Sequence, residues 1–333
     1  QMLGWSSYGH PAFDGDFTEH FYMRFTPFFA LLPLLGVFAL RYRPAPRILA
    51  ASAAAGGALL LVQALRPMEG DVARLSVVHA PALLLSLGAV AALGRRWREV
   101  DARMNSLQMV GESAALAGLF LLGGVILVAL TAGLFSAIGV NAEALIFEWI
   151  VPFGAIGVLP VGALMASQRP GSGRVAPLVA RVFGPLALVV LAAYLPALLV
   201  SGALDDRDTL LTLNIALLAV LALILLVEAE RPDVSRHWTD WVTAGLATLA
   251  LAADITAFLF VAERLAEGGL TPNRLAVVGM NGLVAVHLAG LAVPLGRRLL
   301  TSGPRPDDAW TARFLTVYAL WGAVVVLVFP LVF

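Results

Sequence analysis

The sequence contains no cysteine and no lysine. The first absence excludes disulfides, thiolate metal centres, iron–sulfur clusters and cysteine nucleophiles. The second excludes Schiff-base chemistry and the phosphate-binding lysine of P-loop sites. Charge is scarce as well: 13% of the 333 residues are charged, against about 25% in soluble domains. The 22 basic residues, all Arg, balance 22 acidic ones to a formal charge of zero. That balance excludes a basic nucleic-acid binder, and a hydrophobic content of 60% excludes a disordered chain or an ordinary cytosolic enzyme. An integral membrane protein remains, with the lipid bilayer as its first partner and no nucleic acid.

What is present is a series of long apolar runs. A helix crossing a hydrocarbon core of about 30 Å needs about 20 mostly apolar residues. Ten segments are candidates by that measure: 25–40, 48–65, 75–94, 113–139, 144–166, 177–200, 209–227, 241–262, 275–296 and 314–333. The first two are short and also read as a hairpin that does not fully cross, but both are kept as spans. The alternation that a membrane β-barrel requires is missing. The expected fold is therefore all-α, a polytopic transmembrane bundle of about ten spans with short loops. Residues 1–24 form an extracytoplasmic segment, and 25–333 a single helical domain. Loops 95–112 and 297–313, which mix Arg with Trp97 or Trp310, read as interfacial helices lying on the membrane surface.

Arginine placement sets an orientation. Fifteen Arg lie in the odd-numbered loops, six on the opposite side, and Arg181 inside a span. By the positive-inside rule the odd loops face the cytoplasm and both termini lie outside. The acids divide the other way, so the expected charge is +6 on the cytoplasmic face and −5 outside. The chain opens Gln1-Met2-Leu3 with no basic region followed by an apolar stretch, so no signal peptide is visible. An outside amino terminus then leads one to expect further sequence upstream, including another span.

From the fourth apolar run onward the sequence resembles one bacterial family. The resemblance is carried by Phe120-Leu121-Leu122-Gly123-Gly124 and by Gly133-Leu134-Phe135 running to Ile138-Gly139. Val151-Pro152-Phe153-Gly154, residues 178–186 (LVARVFGPL) and Gly269-Leu270-Thr271-Pro272-Asn273-Arg274 add to it. The family is one of polytopic bacterial inner-membrane proteins known only as a domain of unknown function. The likeness covers roughly 110–295, and this chain departs from it at Leu275, where members carry an aromatic residue. It implies a bacterial cytoplasmic-membrane location and transfers no catalytic residue.

Ionisable groups inside spans cost about 2.5–3.5 kcal/mol on insertion scales, so each needs a reason. Asp254 lies about 20 Å into its span by helical rise. Asn281, on the next span, falls at a comparable depth, with His287 six residues further on. Six residues turn about 600°, so Asn281 and His287 do not share a face, and Asp254 is expected to meet Asn281. Two readings stay open. In one, Asp254 titrates in a proton- or cation-coupled site with His287 as relay. In the other, a protonated Asp254 simply bonds a neighbouring helix.

Glu148 beside Trp149 reads as an interface anchor or a site. Arg181 reads as a snorkelling side chain or the counter-charge of an acid across the bundle. Pro152, Pro160, Pro185, Pro196 and Pro294 free backbone carbonyls inside spans, as in ion sites of broken-helix transporters, but neighbouring helices also re-satisfy such groups.

The outer segment offers Asp14, Asp16, Glu19 and His20 as ligands for Mg²⁺, Mn²⁺ or Ca²⁺. An Asp-x-Asp there resembles the metal motif of membrane glycosyltransferases that use lipid-linked sugars. A solvated surface loop accounts for the same residues. No organic cofactor is expected. With small loops and no large outer domain, a non-enzymatic role leads: a transport-like protein, or an accessory or scaffold subunit with a protein partner in a membrane complex. The lipid-linked-sugar transferase is the alternative.

Overall fold

The computed structural model describes residues 15–65, 70–137, 145–168, 175–201, 207–230, 238–301 and 308–333. They form helices throughout, with no strand among the described residues. In chain order these are α1 (Gly15–Tyr42), α2 (Pro46–Leu65), α3 (Gly70–Leu93), α4 (Val100–Ala137), α5 (Val151–Gln168), α6 (Ala176–Ser201), α7 (Arg207–Ala229), α8 (Trp238–Gly268), α9 (Pro272–Thr301), α10 (Ala309–Ala323) and α11 (Phe329–Val332).

Among the described residues, six helical stretches are long and apolar enough to cross a membrane: Pro46–Leu65, Gly70–Arg98, Ala176–Val200, Trp238–Ala266, Pro272–Thr301 and Ala309–Val332. Three shorter apolar ones, Leu31–Tyr42, Phe153–Gln168 and Leu213–Ala229, fall where further spans were expected. A helical membrane bundle thus stands. Its large apolar side chains lie open on the outer faces, as with Val189 and Val190 on α6 and Leu259 on α8. Lipid would cover such surface in a membrane.

Local chemistry explains the breaks. Between α1 and α2 the chain reverses at Arg43, whose φ of 46° is left-handed, and its N–H donates to the Ala39 carbonyl at 2.9 Å. This is a helix C-terminal turn on a non-glycine residue, followed by Pro44 and by Pro46 as the first residue of α2. Proline is handled in two ways. Helices α3, α5, α6 and α9 run through Pro81, Pro160, Pro185, Pro196 and Pro294 without ending. By contrast, wider π turns at Leu145–Ile150 and Val324–Val328 end two residues before Pro152 and Pro330. Such a turn gives room at the carbonyl a proline ring would strike.

Of the two expected surface helices, the first is not a separate element, and the second lies partly outside the described residues. Residues 100–112 continue unbroken into α4, a single helix of 38 residues, after a 3₁₀ turn at Gly94–Arg98. Nothing between Val100 and Ser113 breaks a helix, because the segment has no proline and its one glycine is tolerated. Likewise 297–301 is the end of α9, and 309–313 the start of α10.

The contacts gather into two compact units, Gln1–Trp97 with Met109–Arg174, and Arg98–Gln108 with Val175–Phe333. In the first, α1 packs on α3, α5 and α2, and α2 packs on α3. Phe28, Leu31, Leu34 and Phe38 make the buried stripe of α1. A buried hydrogen bond from Gln63 Nε2 to Ser76 Oγ, 2.9 Å long, ties α2 to α3.

In the second unit α8 is central, packed by α6, α7 and most extensively α9. Its buried row is Thr243, Ala247, Ala250, Asp254, Ala257 and Val261, and α9 buries Asn281, Val284, Leu288, Leu291, Leu295 and Arg298. Both rows alternate steps of three and four residues, the pattern of near-antiparallel helices meshing side chains. Alanines on α8 let the two backbones approach, the usual driving contact where lipid removes the hydrophobic effect between helices.

Candidate functional site

The α8–α9 seam carries the most buried polar groups of the second unit. At one end Asp240 and Arg298 form an ion pair, 3.6 Å apart, with side chains 4% and 5% exposed. Because the helices run antiparallel, that pair marks a common level. Asp254 lies 14 residues beyond Asp240 on α8, and 14 residues back from Arg298 on α9 is Val284. Asn281 and His287 each lie three residues from that level, about 4.5 Å along the axis.

Asp254 is 1% exposed, and its Oδ2 has no hydrogen-bond partner. The expected bond to Asn281 is not formed, and Asn281 Nδ2 is also without a partner. His287 is 0% exposed and turned toward α10 rather than α8. Its Nδ1 and the Tyr318 hydroxyl share a hydrogen bond of 2.8 Å. Phe314 stacks on the imidazole at 4.4 Å, the planes 12° apart. Trp310 Nε1 donates to the His287 carbonyl at 3.1 Å.

Two glycines of α9 make room for the α10 face: a Cβ at Gly290 would overlap the Trp310 indole, and one at Gly279 the Trp321 indole. The Trp310, Phe314 and Tyr318 rings lie four residues apart on one side of α10 and form a continuous aromatic wall over His287.

This arrangement leaves His287 Nε2 as a buried nitrogen with no partner. If the Tyr318 hydroxyl donates to Nδ1, Nε2 carries the ring proton; if Nδ1 donates to the hydroxyl, Nε2 holds the free lone pair. Tyr318 also lies within electrostatic range of Asp254. Its hydroxyl is thus bonded to one of the two ionisable groups that the sequence singled out and interacts electrostatically with the other. Leaving a buried polar atom unmade costs on the order of 1–3 kcal/mol. Asp254, Asn281 and His287 each leave one such atom, concentrated on facing stretches of α8 and α9.

The remaining sequence candidates do not join this cluster. Arg181 is exposed on α6 and is no buried counter-charge. Glu148 lies in the π turn of the first unit, where its neighbour Trp149 stacks on Phe153 at 6.0 Å; the Glu148 side chain is outside the described residues. Asp14 lies outside the described residues, and of Asp16, Glu19 and His20 only the helical backbone of α1 is described. No group of three metal-ligating side chains occurs among the described residues.

Sequence reasoning missed Tyr318, Trp310 and Phe314, although their spacing of four on one helix was a readable sign of an aromatic face. It also missed the Asp240–Arg298 pair, which opposite charges at matching ends of adjacent spans announce. Glu112 and Glu228 are also buried, 1% and 5% exposed, and have partners. Compared with known families, curated proteins and solved structures, the chain matches none.

Proposed function

We propose that this chain is a ten-span protein of a bacterial cytoplasmic membrane, its odd loops inside, whose second unit conducts protons in a transport-like role. One observation carries the reading. Asp254 Oδ2 and His287 Nε2, the two ends of a relay centred on Tyr318, are both buried and both lack partners. A proton held by the Asp254 carboxyl passes, directly or through one water, to the Tyr318 oxygen. The phenol gives its own proton to His287 Nδ1, and the imidazole releases one from Nε2 to a single water molecule admitted beside that nitrogen, which carries the proton away. Each group ends the step with the proton count it began with, except that one proton has moved from Asp254 to the far side of His287. The aromatic wall over His287 keeps bulk water from short-circuiting the path.

Proteoliposomes loaded with a pH-sensitive dye provide the test. The wild type is expected to dissipate an imposed pH gradient. Asp254→Asn should abolish that flux while leaving thermal stability and yield unchanged. A wild type without flux, or an Asp254→Asn variant with full flux, would overturn the relay and leave the accessory-subunit role instead.

A further inference from the structure

Away from the relay, the first unit has a cleft of about 550 Å³ between α2 and the end of α3. Its size falls within the roughly 300–1,000 Å³ of small-ligand sites. The walls are small or aliphatic, among them Ala51 on α2 and Leu87 and Val90 on α3. Its rim is different in kind, formed by Arg47, Arg95 and Trp97.

The rim is placed by backbone geometry. α3 ends at Leu93, and the φ of +59° at Gly94 lets the chain turn sharply into a 3₁₀ segment. That turn brings Arg95 to the same cleft that Arg47 lines from the first turn of α2. Arg47 and Arg95 are exposed and form no ion pair among the described residues. Two unneutralised guanidinium groups over an aliphatic trough match one ligand chemistry, a phosphodiester with hydrocarbon attached. A tryptophan beside them is the usual side chain at headgroup depth.

We propose that this cleft binds the headgroup of an anionic phospholipid, with the phosphate held between Arg47 and Arg95. The first methylenes of an acyl chain lie along Ala51, Leu87 and Val90. Guanidinium forks suit phosphate oxygens. The inference needs a membrane setting but not the proton relay, so either can fail alone.

The test uses the full chain in a mild detergent, titrated with phosphatidylglycerol, phosphatidylcholine or inorganic phosphate and followed by thermal shift and native mass spectrometry. Phosphatidylglycerol should raise the melting temperature and remain bound, and the other two should not. Each arginine contributes about 1 kcal/mol toward an anionic headgroup, so Arg47→Gln or Arg95→Gln should weaken retention roughly fivefold, and the double variant about 25-fold. Arg264→Gln, an equal charge loss on α8, should leave it unchanged. Ala51→Trp, which fills the trough and spares both arginines, should also expel the lipid. A shift reproduced by phosphate alone, equal retention of phosphatidylcholine, or retention that survives both the double variant and Ala51→Trp would overturn the proposal.

Discussion

Tyr318 is the residue on which the buried cluster turns, because its single hydroxyl is bonded to His287 and lies in the field of Asp254. Tyr318→Phe removes that oxygen while keeping the ring that packs on Phe314. It should cost about 0.5–1.5 kcal/mol of stability, the net worth of one hydrogen bond, yet stop gradient dissipation in proteoliposomes. Loss of stability without loss of flux would show a structural tyrosine only. Gly290 is the second residue with a sharp expectation. Gly290→Ala places a methyl group in the Trp310 indole, and overpacking of this kind costs about 1–3 kcal/mol. Gly296→Ala on the same helix meets nothing within 4 Å and should be neutral or slightly stabilising. Melting temperatures of the two variants side by side check the contrast.

Between elements, the α8–α9 hairpin is the best-packed pair in the second unit, and its open end is closed by the Asp240–Arg298 ion pair. Such a pair is weak evidence of net stability, because desolvation offsets most of the attraction. Breaking it is another matter. Asp240→Leu takes the carboxylate away from the buried Arg298 guanidinium, and breaking a buried pair in this way should cost about 3–5 kcal/mol. Adding Arg298→Met should restore most of that loss, which a thermal melt of single and double variants would read. If the single variant melts like the wild type, Arg298 has reached solvent and the seam is looser than described. The π turns ahead of Pro152 and Pro330 belong to this scale too, since each lets a proline enter an apolar helix without ending it.

For the whole molecule, the absence of native cysteine makes topology directly testable. Arg96→Cys and Arg297→Cys should react with a membrane-impermeant maleimide only from the cytoplasmic side, and Arg264→Cys only from outside. Labelling of all three from one side would overturn the alternating ten-span order. Three of the expected spans correspond to shorter apolar stretches among the described residues, and the labelling tests whether an odd number of crossings separates Arg96 from Arg264 and Arg264 from Arg297.

The helical class and the membrane setting were legible from composition and run length, because in hydrocarbon every backbone group must bond within its own helix. The buried acid was legible for a related reason: Asp254 stands alone in an apolar stretch, and a charge there is costly wherever it points. Its surroundings were not legible. Which face of α9 meets α8 and which meets α10 is set by packing of small against large side chains, alanine rows on one side and glycines under tryptophans on the other. Sequence spacing put Asn281 level with Asp254, but the tertiary structure turned His287 toward Tyr318. A phenol from a helix some 30 residues away therefore became the neighbour that matters. Likewise, Arg47 and Arg95 read along the chain as charges of two separate loops, the second read as an interfacial helix. Only the left-handed turn at Gly94 made them two sides of one cleft.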